Sequence, residues 1–507
     1  MSLTEFAVLL VLIAAFWPFL RLCKTIFPKT SDSHQKPPPG PSGLPVIGHL
    51  HMLGKLPHQT LYKLSQKYGP IMSLRLGSVP TIVVTSPGAA ELFLRTHDAV
   101  FASRPKMQVA ENLWYGSKGM IFTEYGAYWR NVRKFCTLEL LSASKIDSFA
   151  GRRRKELGML VESLRKSAGA GEVVDVSEKV AHLTVDMTCK MLFGEIIKDK
   201  CELNEIIHEM AEIMGAFNIA DYVPLLGALD LQGWTRRIRA ASKAVDRILE
   251  NIIDDHEEDA SKGHNKPHGD FVDIILSLKN SERSTHEHLA QIVDRTNIKA
   301  ILLDMIFGSI DTSQITIEWI MSELMRNPRV MQHLQAEIRN VISDCEFVEE
   351  SHLSKLTYLD MVVKEGMRLH PAGPLLVHHE SMEDIMIDGY HIPKQSRIIV
   401  NIWGMARDPK IWSANAEEFC PERFMDSNID LRGKNFELIP FGSGRRVCPG
   451  MYLGLINVKL VVAQLVHSFN WELPSGMSPA ELDMDEMYGA TVPRANHLLA
   501  VPTLRFP

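Results

Sequence analysis

The sequence has few cysteines and no excess of basic residues, and each shortage excludes a class of protein. Its 507 residues include 7 cysteines, and no two of them form a Cys-x-x-Cys pair. This odd, scattered set excludes a disulfide-rich scaffold and favours reduced thiols that face the cytosol. Lysine and arginine together number 55 against 61 aspartates and glutamates, which gives a net charge of -6. The overall charge therefore does not indicate a nucleic-acid partner.

Complete nucleotide-binding and zinc-protease motifs are also missing. Residues 442–444, Gly-Ser-Gly, resemble a fragment of a dinucleotide-binding loop, but the third glycine is absent and no βαβ pattern surrounds them. Residues 286–288, His-Glu-His, lack the two histidines four positions apart that a zinc protease needs. We interpret neither segment as a functional site.

Composition and periodicity favour one large, mostly helical body. Hydrophobic residues make up 45% of the chain and charged residues 23%, which excludes a disordered polymer. Length alone suggests about three domains, but no internal boundary or repeat supports them. Short β patterns occur between residues 44 and 101 and again after residue 371, and the longest loop signal covers residues 260–270. We predict a mainly α fold with a minor β region, with helices near residues 89–96, 128–140, 145–166, 177–192 and 202–217.

The amino terminus is predicted to anchor the protein in a membrane. Residues 6–20 are uncharged and mostly apolar, and Arg21, Lys24 and Lys29 follow them. This run is shorter than the roughly 20 residues of a spanning helix, but snorkelling of Arg21 and Lys24 lengthens it. By the positive-inside rule the body lies on the cytosolic side. We predict a transmembrane signal anchor over residues 1–25, with a buried core helix as the alternative.

A proline-rich segment follows this anchor. Five prolines in residues 36–50 fix the backbone φ angle, so the segment is stiffer than a Gly/Ser linker. We predict a basic, proline-rich hinge over residues 26–48 and one large domain over residues 49–507.

One cysteine lies in a segment suited to holding a metal. Residues 441–450 read FGSGRRVCPG, and a long helical pattern begins at Met451. Cys448 therefore lies just before a helix N-terminus, where backbone amides and the helix dipole favour a thiolate. Because no second cysteine or histidine ligand accompanies it, an axial haem ligand is a better interpretation than a zinc ligand.

The same segment identifies a family. It matches the pattern FxxGxRxCxG through Phe441, Gly444, Arg446, Cys448 and Gly450. The chain thus resembles the cytochrome P450 enzymes, and its other landmarks resemble the large clan of plant microsomal P450s that act in specialised, or secondary, metabolism. The resemblance implies the cytochrome P450 fold and a haem b cofactor (iron protoporphyrin IX), with Cys448 as the axial ligand of the iron. It also implies that Phe441, Arg446 and Gly450 contact the haem.

Two further landmarks concern ion pairing around the haem. Glu365 and Arg368 are three residues apart on a predicted helix and so share a face. The resemblance implies that Arg423, from the segment Pro-Glu-Arg-Phe, joins them in a buried triad behind the haem. It also implies that Trp129 and Arg133 contact the haem propionates together with Arg446.

One expected propionate contact departs from the family pattern. Plant relatives commonly carry Pro-Arg where this chain has His378 and His379. We expect His379 to donate a hydrogen bond to a propionate, and His378 to face the substrate cavity.

A long helical pattern over residues 292–327 carries a polar group in its middle. Gly308, Asp311 and Thr312 match the oxygen-activating pattern of the family, whereas Ser309 replaces the usual glycine. Thr312 can bond the carbonyl of Gly308 and open the helix locally. The resemblance implies that Asp311 and Thr312 are the catalytic residues that deliver protons during cleavage of O₂. Ser309 either narrows the groove or supplies a hydrogen-bond partner.

The resemblance also locates a substrate cavity and a redox partner. The apolar walls of this cavity suit a small hydrophobic substrate such as a terpenoid or phenolic. Electrons are expected from NADPH through a separate NADPH-cytochrome P450 reductase, which docks on a basic face that includes Arg130, Lys134 and Arg445. The implied location is the endoplasmic reticulum membrane, single-pass, with the catalytic domain in the cytosol. The candidate wall residues are Trp114, Phe122, Phe217, Met305, Phe307, Gly308, Leu375, Leu376 and Met487.

Three functions fit these expectations. A monooxygenase that inserts one oxygen atom from O₂ is favoured by the acid–alcohol pair Asp311 and Thr312. A reductase-independent haem-thiolate isomerase or dehydratase, and a haem-based sensor without enzymatic activity, are the alternatives. The sequence alone does not name the substrate or the position of oxidation.

Overall fold

A computed structural model of the chain describes residues 36–194, 200–227, 229–262, 269–280, 294–342 and 347–505. The predicted anchor over residues 1–25 lies outside these ranges. In the described part, helices account for most of the chain and three small sheets lie at its periphery. The mainly α fold with a minor β region is therefore confirmed. The helices are α1 (Pro57–Tyr68), α2 (Pro87–Glu91), α3 (Gln108–Leu113), α4 (Ala127–Phe135), α5 (Ala143–Ser148), α6 (Ala150–Ala170), α7 (Val176–Phe193), α8 (Lys200–Gly215), α9 (Pro224–Gly227), α10 (Trp234–Ser261), α11 (Phe271–Asn280), α12 (Arg295–Arg326), α13 (Pro328–Ile342), α14 (Thr357–Leu369), α15 (Ile402–Ala406), α16 (Pro409–Trp412) and α17 (Met451–Ser468).

The main sheet joins strands that are far apart in sequence. Its strand order is β1-β2-β7-β4, with β2 and β7 parallel and the other pairs antiparallel. A second sheet pairs β9 with β3 and β8, and β5 pairs with β6 in a hairpin. The strands are β1 (Ile71–Leu76), β2 (Val79–Val84), β3 (Val174–Asp175), β4 (His379–Glu380), β5 (Ile385–Ile387), β6 (Tyr390–Ile392), β7 (Arg397–Val400), β8 (Phe469–Glu472) and β9 (Leu499–Leu504).

Helix α12 is the central element of the core. Its N-cap Asp294 accepts a hydrogen bond from the Asn297 amide at 2.7 Å, and the helix ends at Arg326, one residue before Asn327-Pro328. It packs against α7, α14 and α17. Helices α12 and α17 are long and apolar enough to cross a membrane, but 67% of the apolar window of each is buried inside the protein. In this structure both are core helices.

Several predicted helix boundaries differ from the observed ones. The predicted helices over residues 89–96 and 128–140 change to π-helical geometry after Glu91 and Phe135. The predicted helix over residues 145–166 is two helices, α5 and α6, which separate at Phe149; this side chain is buried and packs on Phe271. The end of α10 falls inside the predicted loop over residues 260–270, since that helix continues to Ser261. Helix α10 itself was not predicted, although its buried stripe, which includes Ile238, Val245 and Ile252, has helical spacing.

Residues 36–48, the described part of the predicted hinge, lie along strand β1. The Ser73 amide donates to the Pro39 carbonyl at 2.8 Å, and the His49 amide donates to the Arg75 carbonyl at 2.7 Å. Gly48 has φ +59, and a Cβ atom there would lie 2.0 Å from the Arg75 carbonyl oxygen, so only glycine fits. This segment is therefore bound to the sheet rather than separated from it.

Candidate functional site

The Cys448 segment folds as a tight loop that leads into α17. The Cys448 amide donates to the Phe441 carbonyl at 2.9 Å, and Gly450 is the N-cap residue of α17. A Cβ atom at Gly450 would lie 3.9 Å from the Cys448 sulfur. Burial raises the pKa of the Cys448 thiol, whereas the amides of Gly450 and Met451 and the charge of Arg133 lower it. Since burial prevails, the thiol on its own is protonated, and a bound metal ion would stabilise the thiolate.

Three arginines from distant parts of the chain gather near this loop. Arg446 and Arg104 are buried, Arg133 is half-buried, and burial together with repulsion between these cations lowers the pKa of Arg104 and of Arg446. Their guanidinium groups donate to main-chain carbonyls: Arg133 to Val447 at 2.6 Å and Arg446 to Met120 at 3.0 Å.

This arginine cluster, Arg104, Arg133 and Arg446, has an unbalanced positive charge. Within the described ranges, none of the three forms an ion pair with a carboxylate; Asp304 acts on Arg446 only through space. Buried cations of this kind need an anionic partner. A haem carries two propionate carboxylates beside an iron that a thiolate can ligate, so the donor set of this site fits a haem.

Trp129 and the two histidines complete this side of the site. The Trp129 indole donates to the Met120 carbonyl at 3.1 Å, and the Arg446 guanidinium lies 4.2 Å from the centre of the Trp129 ring. Burial lowers the pKa of His378 to about 3 and holds the pKa of His379 well below its ordinary value. Both imidazoles are therefore neutral.

The expected hydrogen bond from His379 to a propionate does not suit this geometry. His379 Nδ1 lies 2.7 Å from the Phe101 carbonyl oxygen, which can only accept, so Nδ1 carries the proton. In the neutral ring the other nitrogen, Nε2, is then an acceptor and repels a carboxylate. A neutral His379 therefore does not supply the positive charge of the arginine that plant relatives commonly carry at this position. Arg104, which sequence reasoning did not single out, donates to the carbonyl of His378 at 2.9 Å and so brings a guanidinium to this area.

The middle of α12 has one open face. Gly308 and Thr312 are exposed although Ile310 and Ser313 beside them are buried, and a Cβ atom added at Gly308 would meet nothing within 4 Å. Thr312 Oγ1 donates to the Gly308 carbonyl at 2.8 Å, the back-bonding expected from the sequence. This face of α12 thus borders space that could admit a small molecule next to a hydroxyl group.

Ser309 does not narrow that face. Its hydroxyl donates to the Met305 carbonyl at 2.6 Å and lies 3.1 Å from the Thr188 hydroxyl of α7. The structure therefore supports the expectation that Ser309 supplies a hydrogen-bond partner, and not the expectation that it narrows the groove. Asp311 is half-buried on the adjoining turn.

Glu365, Arg368 and Arg423 are brought together in the core. Arg368 donates to Glu365 through Nε at 2.7 Å and Nη2 at 2.9 Å, and Arg423 Nε donates to Glu365 Oε1 at 2.8 Å. Glu365 and Arg368 have no exposed side-chain surface. The Cys420 amide donates to the same carboxylate at 2.8 Å. The bidentate geometry and the additional donor satisfy the hydrogen-bonding capacity of the buried Glu365 carboxylate.

The candidate wall residues fall into separate groups. Trp114 packs edge-on against Phe122 and Phe307, with ring centres 4.8 and 5.4 Å apart, and Met305 belongs to the same apolar cluster. Leu375 packs instead with the residues beneath the main sheet, and Leu376 lies against the neighbouring cluster. Phe217 and Met487 are 43% and 55% exposed. Only the first group forms one continuous apolar surface next to α12.

Removal of the Glu365 carboxylate tests the buried triad. We expect Glu365→Ala to lower the free energy of unfolding by about 3–5 kcal/mol, because two buried guanidinium groups lose their counter-charge. Glu162→Ala is the matched control: Glu162 of α6 pairs with Lys166 one helical turn further on, and the two side chains are 61% and 76% exposed, so its loss should cost under about 1 kcal/mol. Urea unfolding followed by circular dichroism measures both. Equal losses in the two variants would contradict the triad's role.

Comparison with known proteins agrees with this site. The family model for Cytochrome P450 matches residues 38–500. Cytochrome P450 CYP736A12 of Panax ginseng is 58% identical over 472 residues, covering 93% of this chain and 94% of that protein. Premnaspirodiene oxygenase of Hyoscyamus muticus is 41% identical and covers 97% of this chain and 98% of its own length. Desmethyl-deoxy-podophyllotoxin synthase of Sinopodophyllum hexandrum is 42% identical, with 93% of each chain covered. The chain therefore belongs to the cytochrome P450 family and is a monooxygenase.

Proposed function

We propose that this monooxygenase inserts one oxygen atom from O₂ into a small hydrophobic plant metabolite, a terpenoid or a phenolic. The observation that carries the proposal is the open face of α12 at Gly308 and Thr312, in the same domain as the half-buried Cys448 and next to the apolar cluster of Trp114 and Phe307. Relatives named for premnaspirodiene, 5-epiaristolochene and a podophyllotoxin support this substrate class.

Two groups of residues are proposed to hold haem b. Cys448 would ligate the iron, and Phe441 and Gly450 of the same loop would contact the haem. Arg133, Arg446 and Trp129 would bind the propionates. To these we add Arg104, because its buried guanidinium belongs to the same cluster. When bound, the haem supplies the iron at which O₂ is activated, and a thiolate ligand favours O–O cleavage.

Asp311 and Thr312 are proposed to move the protons. Thr312 Oγ1 is held by its hydrogen bond to the Gly308 carbonyl, so its oxygen is fixed at the open face. A hydroxyl group in this position can accept a proton from a carboxylic acid or water and pass it on. Ser309 leaves the face free because it is bonded to Thr188.

The electrons are proposed to come from NADPH through a separate NADPH-cytochrome P450 reductase. Arg130 and Arg445 are exposed, and both lie against the ring of Tyr125, at 5.5 and 5.7 Å from its centre. Lys134 is exposed one helical turn after Arg130. A basic face of this kind suits a weak, salt-sensitive contact with an acidic partner.

Reductase-coupled turnover tests the proposed reaction. With a plant reductase, NADPH and O₂, a panel of terpenoids and phenolics should yield a product heavier by one oxygen atom, detected by mass spectrometry. The reduced, carbon-monoxide-bound spectrum establishes thiolate ligation of the haem beforehand. Product formation without reductase would indicate the isomerase or dehydratase alternative, and a thiolate-haem spectrum without turnover of any compound would favour the sensor.

Thr312→Ala should separate electron use from product formation. Without the hydroxyl, proton delivery fails and a larger share of the NADPH consumed should appear as hydrogen peroxide. Thr316→Ala is the matched control, because Thr316 Oγ1 makes the same back-bond, 2.7 Å to the Thr312 carbonyl, but is buried one turn further along α12. The measurement is the ratio of product to NADPH. An unchanged ratio in Thr312→Ala would contradict its assignment.

We propose from the sequence that the amino terminus anchors the enzyme in the endoplasmic reticulum membrane, with the catalytic domain in the cytosol. Deletion of residues 1–30 should move the protein from the membrane pellet to the soluble fraction, since the apolar run provides the anchor. Fractionation followed by immunoblotting measures this change. Retention of the truncated protein on membranes would mean that another surface also binds them.

A further inference from the structure

A buried carboxylate in α12 has no part in the proton delivery described above. Asp304 lies two turns before Thr312, about 12 Å along the helix, and is 3% exposed. It faces the chain that connects α3 to α4, a segment that includes Trp114, Phe122 and part of the apolar surface next to α12.

Asp304 is hydrogen-bonded to this segment by several donors. The Trp114 indole donates to Oδ1 at 3.0 Å, the Met120 amide makes a short bond to Oδ2, and the Ile121 amide adds a further contact. Gly119 has φ +89, and a Cβ atom there would lie 2.3 Å from Oδ2, so a glycine is needed for the approach.

The same segment is attached on its other side to the arginine cluster. The Met120 carbonyl accepts hydrogen bonds from Arg446 at 3.0 Å and from the Trp129 indole at 3.1 Å. Met120 therefore connects Asp304, through its amide, with two residues proposed to hold the haem, through its carbonyl. A loss of hydrogen bonds at Asp304 would remove the direct bonds from Trp114, Met120 and Ile121 to this residue of α12.

We infer that Asp304 is a positioning residue that fixes residues 114–122 as a wall of the substrate cavity, and that protonation of its carboxyl group loosens this wall. The inference rests on the proposed function only in treating these residues as part of the cavity. It concerns the geometry of binding, not the transfer of oxygen.

The charge balance at Asp304 explains why protonation is accessible. Burial raises the pKa of Asp304 to about 7, while its hydrogen-bond donors and Arg446 lower it. The other titratable groups that face it, Tyr128 of α4 and Cys136 in the turn that follows, are neutral near this pH because their pKa values are raised. Above pH 7 the carboxylate accepts from all donors. Below it, protonation removes the negative charge and makes one oxygen a weaker acceptor, so the hydrogen bonds from these N–H donors weaken.

Hydrogen exchange measures this wall directly, with or without substrate. In the full-length wild-type enzyme, peptides covering residues 114–122 should be protected at least about threefold more at about pH 8 than at about pH 6, after correction for intrinsic exchange rates. Asp304→Asn cannot ionise and its amide nitrogen faces a donor, so it should show the weaker protection at both pH values.

Glu318→Gln is the matched control. Glu318 is also buried in α12 with a raised pKa and accepts a hydrogen bond from Ser177, but it lies away from residues 114–122. This variant should keep the pH dependence of the wild type. Equal protection of the wild type at both pH values, or a pH dependence that survives in Asp304→Asn, would overturn the inference. The wild-type series decides the matter even if the Asn variant fails to fold.

A ligand probe connects the wall to the cavity. Spectral titration with imidazole and with the larger 4-phenylimidazole reports binding at the haem, and the ratio of the two Kd values depends on the cavity walls. Because only the neutral form of each ligand coordinates iron and the two ligands differ in pKa, each Kd is first corrected for protonation of the free ligand. In the wild type the corrected ratio should change with pH, and in Asp304→Asn it should stay constant; a pH-independent corrected ratio in the wild type would contradict the inference. Absence of a thiolate-haem spectrum would instead refute the proposed function, and the exchange experiment would still test Asp304.

Discussion

Uncompensated positive charge is the constraint on which the organisation of this site depends. Arg104, Arg133 and Arg446 come from three parts of the sequence and converge near one loop without a carboxylate partner among the described residues. The protein gives them main-chain carbonyls, which satisfy their hydrogen bonds but not their charge. Such an arrangement is costly until an anion binds. Binding of a doubly anionic cofactor would therefore also stabilise this region against unfolding.

In the Glu365 triad, by contrast, buried guanidinium groups pair with a carboxylate of the chain. Arg368 and Arg423 are also buried or nearly so, but their counter-charge belongs to the chain itself. The two guanidinium groups of the triad share a carboxylate of the chain, whereas the arginine cluster has none among the described residues. The chain thus separates a self-sufficient frame, which α14 and the segment around Arg423 build, from a region that depends on its cofactor.

Much of this could be predicted from the sequence. The Cys448 segment identified the family, and the long apolar run that ends at Asn327-Pro328 gave α12 to within a few residues at its carboxyl end. Position in space was harder to predict. The contact of Arg104 with the His378 carbonyl joins residues 274 positions apart, and no local pattern encodes it. The direction of Ser309 likewise depends on Thr188 of another helix, and the break at Phe149 depends on packing against Phe271. Asp304 carried a readable signal, an acidic residue within an apolar run, but its partners lie in a distant loop.

The attachment of residues 36–48 to strand β1 has a mechanical consequence. The His391 amide donates to the Lys36 carbonyl at 2.8 Å, and the Ser73 amide holds Pro39. Lys36 is thus held by strand β6 of the hairpin, and Pro39 is held by strand β1 at the edge of the main sheet. A pull on the amino terminus is borne by these strand hydrogen bonds and not by a free tether. If the amino terminus is anchored in a membrane as proposed, these hydrogen bonds, and not the proline content alone, would set the point at which the domain is attached.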